Sequence, residues 1–193
     1  MVTAELDGVK TLEEFHYEIR KQQEEAHGAD YCAIHDAIFK YMKDCNSYME
    51  LGINQGGTAS AALLCNPKEI YLIDIDLTKY NTFLKSIAEA YSKKNNIKLD
   101  VKKIDSKSAE GCNNVDMLVI DSDHNPIHMS KELNLHGPNV NKYIIAHDTS
   151  IINKRHNESL YYALESFGNL NNWSVIERGV TNVGYTVLRK NSK

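Results

Sequence analysis

The stretch Ser47-Tyr-Met-Glu50-Leu-Gly52-Ile-Asn-Gln-Gly56-Gly57-Thr58 decides how this chain is read. A short apolar run enters three closely spaced glycines, and small helix-compatible residues follow. That is a strand, a tight loop and the start of a helix. Glycines permit the turn and let a ligand approach the backbone closely. The spacing departs from the GxGxxG of dinucleotide enzymes. Glu50 would sit badly beside a pyrophosphate but well beside an ammonium group, so the charge favours a ligand bearing an amino acid over NAD.

Working outward, the pattern repeats. Apolar runs at SYMEL (47–51), EIYLID (69–74), LDVKKI (99–104), VDMLVID (115–121) and KYIIAHD (142–148) have the content of strands buried on both faces. Helical stretches are predicted between them at Thr58–Cys65, Thr78–Lys93, Pro126–Leu135 and Glu158–Phe167. Alternation of this kind implies right-handed crossovers and a mostly parallel sheet covered by helices on both faces. The tail, WSVIERGVTNVGYTVLRK, reads as two strands around a Gly179–Asn182 turn. The expected fold is therefore α/β and Rossmann-like: seven strands, mostly parallel, with an antiparallel C-terminal hairpin.

Ahead of it, Leu12, Phe15 and Ile19, then Ile34, Ala37, Ile38 and Tyr41, recur at helical spacing, and the polar stretch Gln22–Asp30 is expected to separate two helices. The division read from this is an N-terminal helical extension, 1–45, packing on a ligand-binding domain, 46–193.

Bulk properties narrow the function. The chain has 193 residues, 42% of them hydrophobic and 25% charged, with a net charge of −4. These values suit one ordinary globular domain and give no basic stripe for a nucleic-acid backbone. No apolar run approaches the length of a membrane span, and the acidic start MVTAELDGVKTLEEF does not read as a secretory signal. The expectation is a cytoplasmic protein that acts on a small molecule, touches neither membrane nor nucleic acid, and is free to form a homo-oligomer. Cys32, Cys45, Cys65 and Cys112 contain no CxxC pair and read as reduced thiols.

In such sheets ligands bind beyond the carboxyl ends of the strands. Five ends carry polar residues directly after an apolar run: Glu50–Gly57, Asp74–Asp76, Asp105–Ser106, Asp121–His124 and His147–Thr149. Asp74, with Asp76 as the alternative, is placed to accept hydrogen bonds from ribose hydroxyls. The plainer alternative is a turn at the glycines and a helix cap at Asp74.

The ordered set ELGINQGG, YLIDID, VDMLVIDSDH, YIIAHDT and GYTVLRK resembles the class I S-adenosylmethionine-dependent methyltransferases over about 46–189. It is most similar to the small O-methyltransferases that act on catechol and caffeoyl-coenzyme A, and to the cephalosporin-hydroxylase-like sugar methyltransferases (methyltransferase family 24). The resemblance implies that Glu50 and Gly52 face the methionine part of S-adenosylmethionine, with Gly56 and Gly57 also binding the cofactor. It puts Asp74 at the ribose, Asp105 and Ser106 beside the adenine, and Asp121 at the cofactor as well. It further implies Mg²⁺ or Mn²⁺ held by Asp121 and Asp148, with His147 or Thr149 as third ligand, and His124 as the base where relatives carry a lysine. A cation there would offset the clustered carboxylates and lower the pKa of an acceptor hydroxyl. Asp123 and Asn125 before Pro126 also read as a helix N-terminus, which would make His124 an ordinary surface residue. The implied function is O-methylation of a small hydroxylated acceptor such as a sugar, polyol or catechol-like compound.

Two departures stand out. His136-Gly-Pro-Asn-Val-Asn141 replaces the family's Pro-Gly-Gly turn, and the Asn/Asp-Pro-Pro-aromatic motif of base-methylating relatives is absent after the fourth run. Other readings stay open: a two-histidine, one-carboxylate Fe(II) oxygenase built from His124, His147 and Asp148 or Asp121, and a non-catalytic binding module. Ile152–Glu158, INKRHNE, reads as a basic lid or a solvated loop. His16, His27, His128, His136 and His156 are assigned to surface or packing roles.

Overall fold

The structure is a computed structural model that describes residues 6, 8–111, 113–152, 155–156 and 158–192. Cys112, and Asn153, Lys154 and Asn157 of the lid reading, lie outside the described residues.

Seven strands form one sheet: β1 (Ser47–Leu51), β2 (Glu69–Asp74), β3 (Lys98–Lys103), β4 (Val115–Ile120), β5 (Val140–His147), β8 (Trp173–Gly179) and β9 (Tyr185–Lys190). A separate two-residue pair, β6 (Ile151–Ile152) and β7 (Arg155–His156), lies between β5 and β8 in the chain. The order across the sheet is β3-β2-β1-β4-β5-β9-β8, parallel from β3 to β5 and antiparallel at β9 and β8. Strand order reverses between β1 and β4, which opens a crevice at their carboxyl ends.

The pleat sends alternate side chains to opposite faces. Tyr48, Ile70, Leu72, Met117, Val119, Ile145 and Val187 join the core under α1 (Leu12–His27), α2 (Ala33–Tyr41), α3 (Gly57–Leu64), α4 (Thr78–Phe83) and α5 (Lys85–Asn95). Met49, Leu51, Ile73, Leu118, Ile120, Ile144 and Leu188 join the core under α6 (Pro126–His136) and α7 (Ser159–Asn171). Helix α3 is buried along nearly its whole length, because α1 and α2 cover the side that the sheet does not. Its sequence, GTASAALL, supplies the small side chains that this close packing needs.

Three expectations are corrected. Helix α1 continues through Gln22–His27 and stops at Gly28, whose φ of +99° suits glycine. Gln, Glu and Ala are good helix formers, and Arg20 pairs with Glu24 one turn on at 3.1 Å. The predicted Thr78–Lys93 helix is two helices, interrupted at buried Leu84, which packs beneath Gly56. Strand β3 is an edge strand with no fully buried residue, which explains its charged sequence KLDVKK.

The N-terminal helices share the sheet's core: Leu12, Phe15 and Ile19 are each at most 1% exposed. Phe15→Ala should cost about 3–5 kcal/mol of global stability in chemical denaturation with a single transition. A separate low-stability transition for the first helices would show that they are not integral to the fold.

Candidate functional site

A cleft of about 630 Å³ lies over the carboxyl ends of β1 to β5, and all five ends contribute side chains or backbone to it. Backbone hydrogen bonds set these ends in register. Gly52 N–H donates to the Ile73 carbonyl at 2.8 Å, Asp121 N–H to Leu51 at 2.8 Å, and Ile104 N–H to Asp74 at 3.1 Å. At Gly52 (φ +90°) a Cβ would lie 2.2 Å from the Asp121 carbonyl oxygen, so β1 can turn beneath β4 only with glycine there.

Asp74 fastens the loop. Its Oδ2 accepts from Ile53 N–H at 2.7 Å and Asn54 N–H at 3.1 Å, and its Oδ1 from Asp76 N–H at 2.9 Å. It also lines the cleft, where Oδ1, which accepts one hydrogen bond from the loop, has capacity for a further one. Asp76 caps α4 through Thr78.

Gly52, Asp74, Asp105, Ser106 and Asp121 line the cleft, whereas Glu50, Gly56 and Gly57 do not. Glu50 is fully buried beneath the loop, accepting from Tyr48 Oη at 2.5 Å and Thr58 Oγ1 at 2.6 Å. Burial pushes its carboxyl up to about 8, although those two hydrogen bonds oppose the shift. The carboxyl expected beside a ligand ammonium is thus engaged by two hydroxyls of the protein itself, and burial favours its neutral form. Gly56 faces Leu84, and Gly57 faces Gln23 and His35 under the extension.

At the β4 and β5 ends, Asp121, His124 and Asp148 each offer a ligand atom, all within 4.8 Å of one another. His124 Nε2 lies 2.8 Å from Asp148 Oδ2, and this hydrogen bond raises its pKa above the usual value. Asp148 is buried and has a φ of +55°, an uncommon backbone that turns the chain sharply after β5. Its neighbours are pinned by the final hairpin: Ser150 N–H donates to Val183 at 2.9 Å, and Thr186 Oγ1 donates to Thr149 Oγ1 at 2.9 Å.

His147 does not join this group. It is buried behind the carboxylates, with Nδ1 3.2 Å from Asp121 and 3.4 Å from Asp148. Burial opposes a charge on its ring, but the two aspartates and a hydrogen bond to the Tyr31 backbone outweigh that and hold its pKa at about 9. It contacts both carboxylates and does not line the cleft. Thr149, also fully buried, is likewise outside the group.

Four cleft residues escaped the sequence reading: Tyr31, Lys79, Lys107 and His128. Tyr31, from the turn between α1 and α2, stacks on His27 and meets His147 edge-on. Asn182 holds that turn, its amide reaching the carbonyls of His27, Gly28 and Ala29 at 3.1, 3.4 and 3.2 Å. His128, assigned to surface or packing, lines the cleft from α6. The spacing His128–Glu132, one helical turn apart, is the signal that would have found it. His136 packs as expected, donating Nε2–H to the Ser106 carbonyl at 2.6 Å just before the three-residue turn Gly137–Asn139.

No family model matches the sequence, and no curated protein matches it. Solved structures do match. A caffeoyl-coenzyme A O-methyltransferase candidate from Staphylococcus aureus superposes with a TM-score of 0.63 over 92% of this chain and 99% of that one, at 11% identity. The fold is that of the class I methyltransferases. An O-methyltransferase from Bacillus cereus in complex with SAH gives 0.59 over 97% and 93%, at 14% identity. The N-methyltransferase NodS from Bradyrhizobium japonicum WM9 gives 0.61 over 83% and 96%, at 10% identity. Methyltransferases of oxygen and of nitrogen share this architecture.

Two outcomes are expected. Gly52→Ala should lose about 2 kcal/mol or more in chemical denaturation, because its neighbours are backbone atoms and its φ is left-handed. Between the usual 4.5 and about 8, folded Glu50 keeps a proton that the unfolded chain releases, so its contribution makes stability fall as pH rises. Glu50→Gln should flatten that slope in melting temperatures recorded from pH 5 to 8. An unchanged slope would mean that Glu50 is ionised in the folded protein.

Proposed function

We propose that the chain is an S-adenosylmethionine-dependent methyltransferase, with a cofactor-binding domain at 46–193 walled on one side by the extension at 1–45, and that it methylates a hydroxyl of a small acceptor. The observation that carries this is a polar cleft over five strand ends of a class I methyltransferase fold, with a stapled glycine loop at one side and a carboxylate–histidine group at the other. Gly52 gives the cofactor access to backbone, and Asp74 Oδ1 accepts from a ribose hydroxyl while Oδ2 holds the loop. The acceptor lies toward Asp121, His124 and Asp148.

The donor set of that group, two carboxylates and one imidazole, fits a divalent cation such as Mg²⁺ or Mn²⁺. When bound, such a cation lowers the pKa of an acceptor hydroxyl and fixes its position. Asp121 and Asp148 are held for this by His147 behind them, and Tyr31 limits the water that reaches the acceptor side. In the transfer, the acceptor oxygen forms a bond to the methyl carbon as the carbon–sulfur bond breaks, leaving S-adenosylhomocysteine. The hydroxyl proton goes to a base at this end of the cleft.

A second reading is favoured by the 2.8 Å contact of His124 with Asp148. Without a cation, Asp148 orients His124 and supports it as the general base, as a carboxylate does in other histidine dyads. The Fe(II) oxygenase reading requires two histidines and one carboxylate, and His147 lies outside the group.

Calorimetry with S-adenosylhomocysteine should show saturable binding at one site; absence of binding removes the proposal. Asp148→Asn, which tolerates the left-handed backbone, should reduce methyl transfer to small polyol and catechol acceptors at least about 100-fold. Its cofactor affinity should stay within a few-fold. Loss of turnover on adding EDTA, restored by Mg²⁺, selects the cation reading, and turnover indifferent to EDTA selects the metal-free base.

A further inference from the structure

A second cavity, of about 550 Å³, lies between α4, α5 and the edge strand β3, and it shares no residue with the cleft over the strand ends. The chain from Asp76 through α4 separates the two: Asp76 and Lys79 line the cleft, while Leu77 and Tyr80 line this groove. Its floor is apolar, made by Leu77, Ile97, Leu99 and Val101. One wall is a face of α5, where Lys85, Glu89, Ser92 and Lys93 recur at helical spacing. Two polar groups on the walls lack partners. Tyr80 is 2% exposed and Ser92 3%, and neither hydroxyl has a hydrogen bond among the described residues. A helical serine or threonine can bond back to the carbonyl four residues earlier, as Ser130 does to Pro126 at 2.7 Å and Thr82 to Thr78 at 2.8 Å. Ser92 does not. Phenylalanine at 80 and alanine at 92 would fill the same space and leave nothing unsatisfied, so these hydroxyls call for a polar partner inside the groove. Burial, and then the charge of Glu89, push the Tyr80 hydroxyl up to about 12, which places that carboxylate near the phenol. Lys85 and Lys93 stand one turn to either side of Glu89, and among the described residues neither is in an ion pair.

We propose that this groove binds a free α-amino acid with an aliphatic side chain. The ligand's ammonium donates to Glu89 and to lone pairs of the Tyr80 and Ser92 hydroxyls, which supplies the partners those groups lack. Its carboxylate accepts from Lys85 or Lys93, and its side chain lies on the apolar floor. A wall that carries both signs of charge beside buried hydroxyls is complementary to a zwitterion, and less so to a simple anion or cation. None of this involves the cofactor, so the proposal stands independently of the methyltransferase reading.

The test is calorimetry of the full chain with L-leucine, with 4-methylpentanoate, which lacks the ammonium, and with 3-methylbutylamine, which lacks the carboxylate. L-Leucine should bind saturably, and each analogue at least about tenfold more weakly. Tyr80→Phe and Ser92→Ala should each weaken L-leucine at least about tenfold. Both should leave the melting temperature of the ligand-free protein unchanged or higher, since neither removes a hydrogen bond of the folded chain. Glu89→Gln, at an exposed position of α5, should weaken L-leucine as well and leave 4-methylpentanoate unaffected. Absence of saturable L-leucine binding at millimolar concentration, or equal binding of the three compounds, overturns the proposal. Unchanged affinity in the folded Tyr80 and Ser92 variants places the amino acid elsewhere and overturns it too.

Discussion

The close passage of β1 beneath β4 is the constraint from which the rest of the site follows. Gly52 lets the Asp121 carbonyl approach to where a side chain would stand, and the same turn brings Ile53 and Asn54 within reach of Asp74. Three strand ends are thereby fixed together by backbone and one carboxylate. A cleft built in this way is preorganised, because its polar groups are set by main-chain bonds and not by mobile side chains.

Charge is distributed unevenly around that cleft. Glu50 is sequestered below the loop, where two hydroxyls satisfy it and burial favours its protonated form. Asp121 and Asp148 line the cleft with His147 as counter-charge behind them and His124 in front. Two carboxylates this close repel one another unless something positive lies near, and the protein supplies imidazoles on both sides. This division between an internal acid and an external pair gives the two ends of the cleft different chemistry.

Much of this was legible in the sequence because it depends on local order. The spans of β1 and β2 match the runs SYMEL and EIYLID, since a buried parallel strand must be continuously apolar. The five polar strand ends do converge, as the topology requires. What could not be read depends on which way a side chain turns. Glu50 and Gly52 are two residues apart, yet one is buried and one lines the cleft, because the chain leaves the strand between them. His124, expected as the base, joins the two aspartates where His147 was expected, since the left-handed turn at Asp148 brings that carboxylate into the cleft and leaves His147 buried beside it. Tyr31 arrives from the turn between α1 and α2 and His128 from α6, where a strand-end pattern gives no hint of them.

The amide of Asn182 grips the carbonyls of His27, Gly28 and Ala29, and strand β9 seals the outer side of β5. A wall of the cleft is thus fastened by the turn of the antiparallel hairpin, more than 150 residues further along the chain. Any change that loosens the pairing of β8 with β9 is therefore transmitted to the turn that carries Tyr31, although the two share no secondary-structure element.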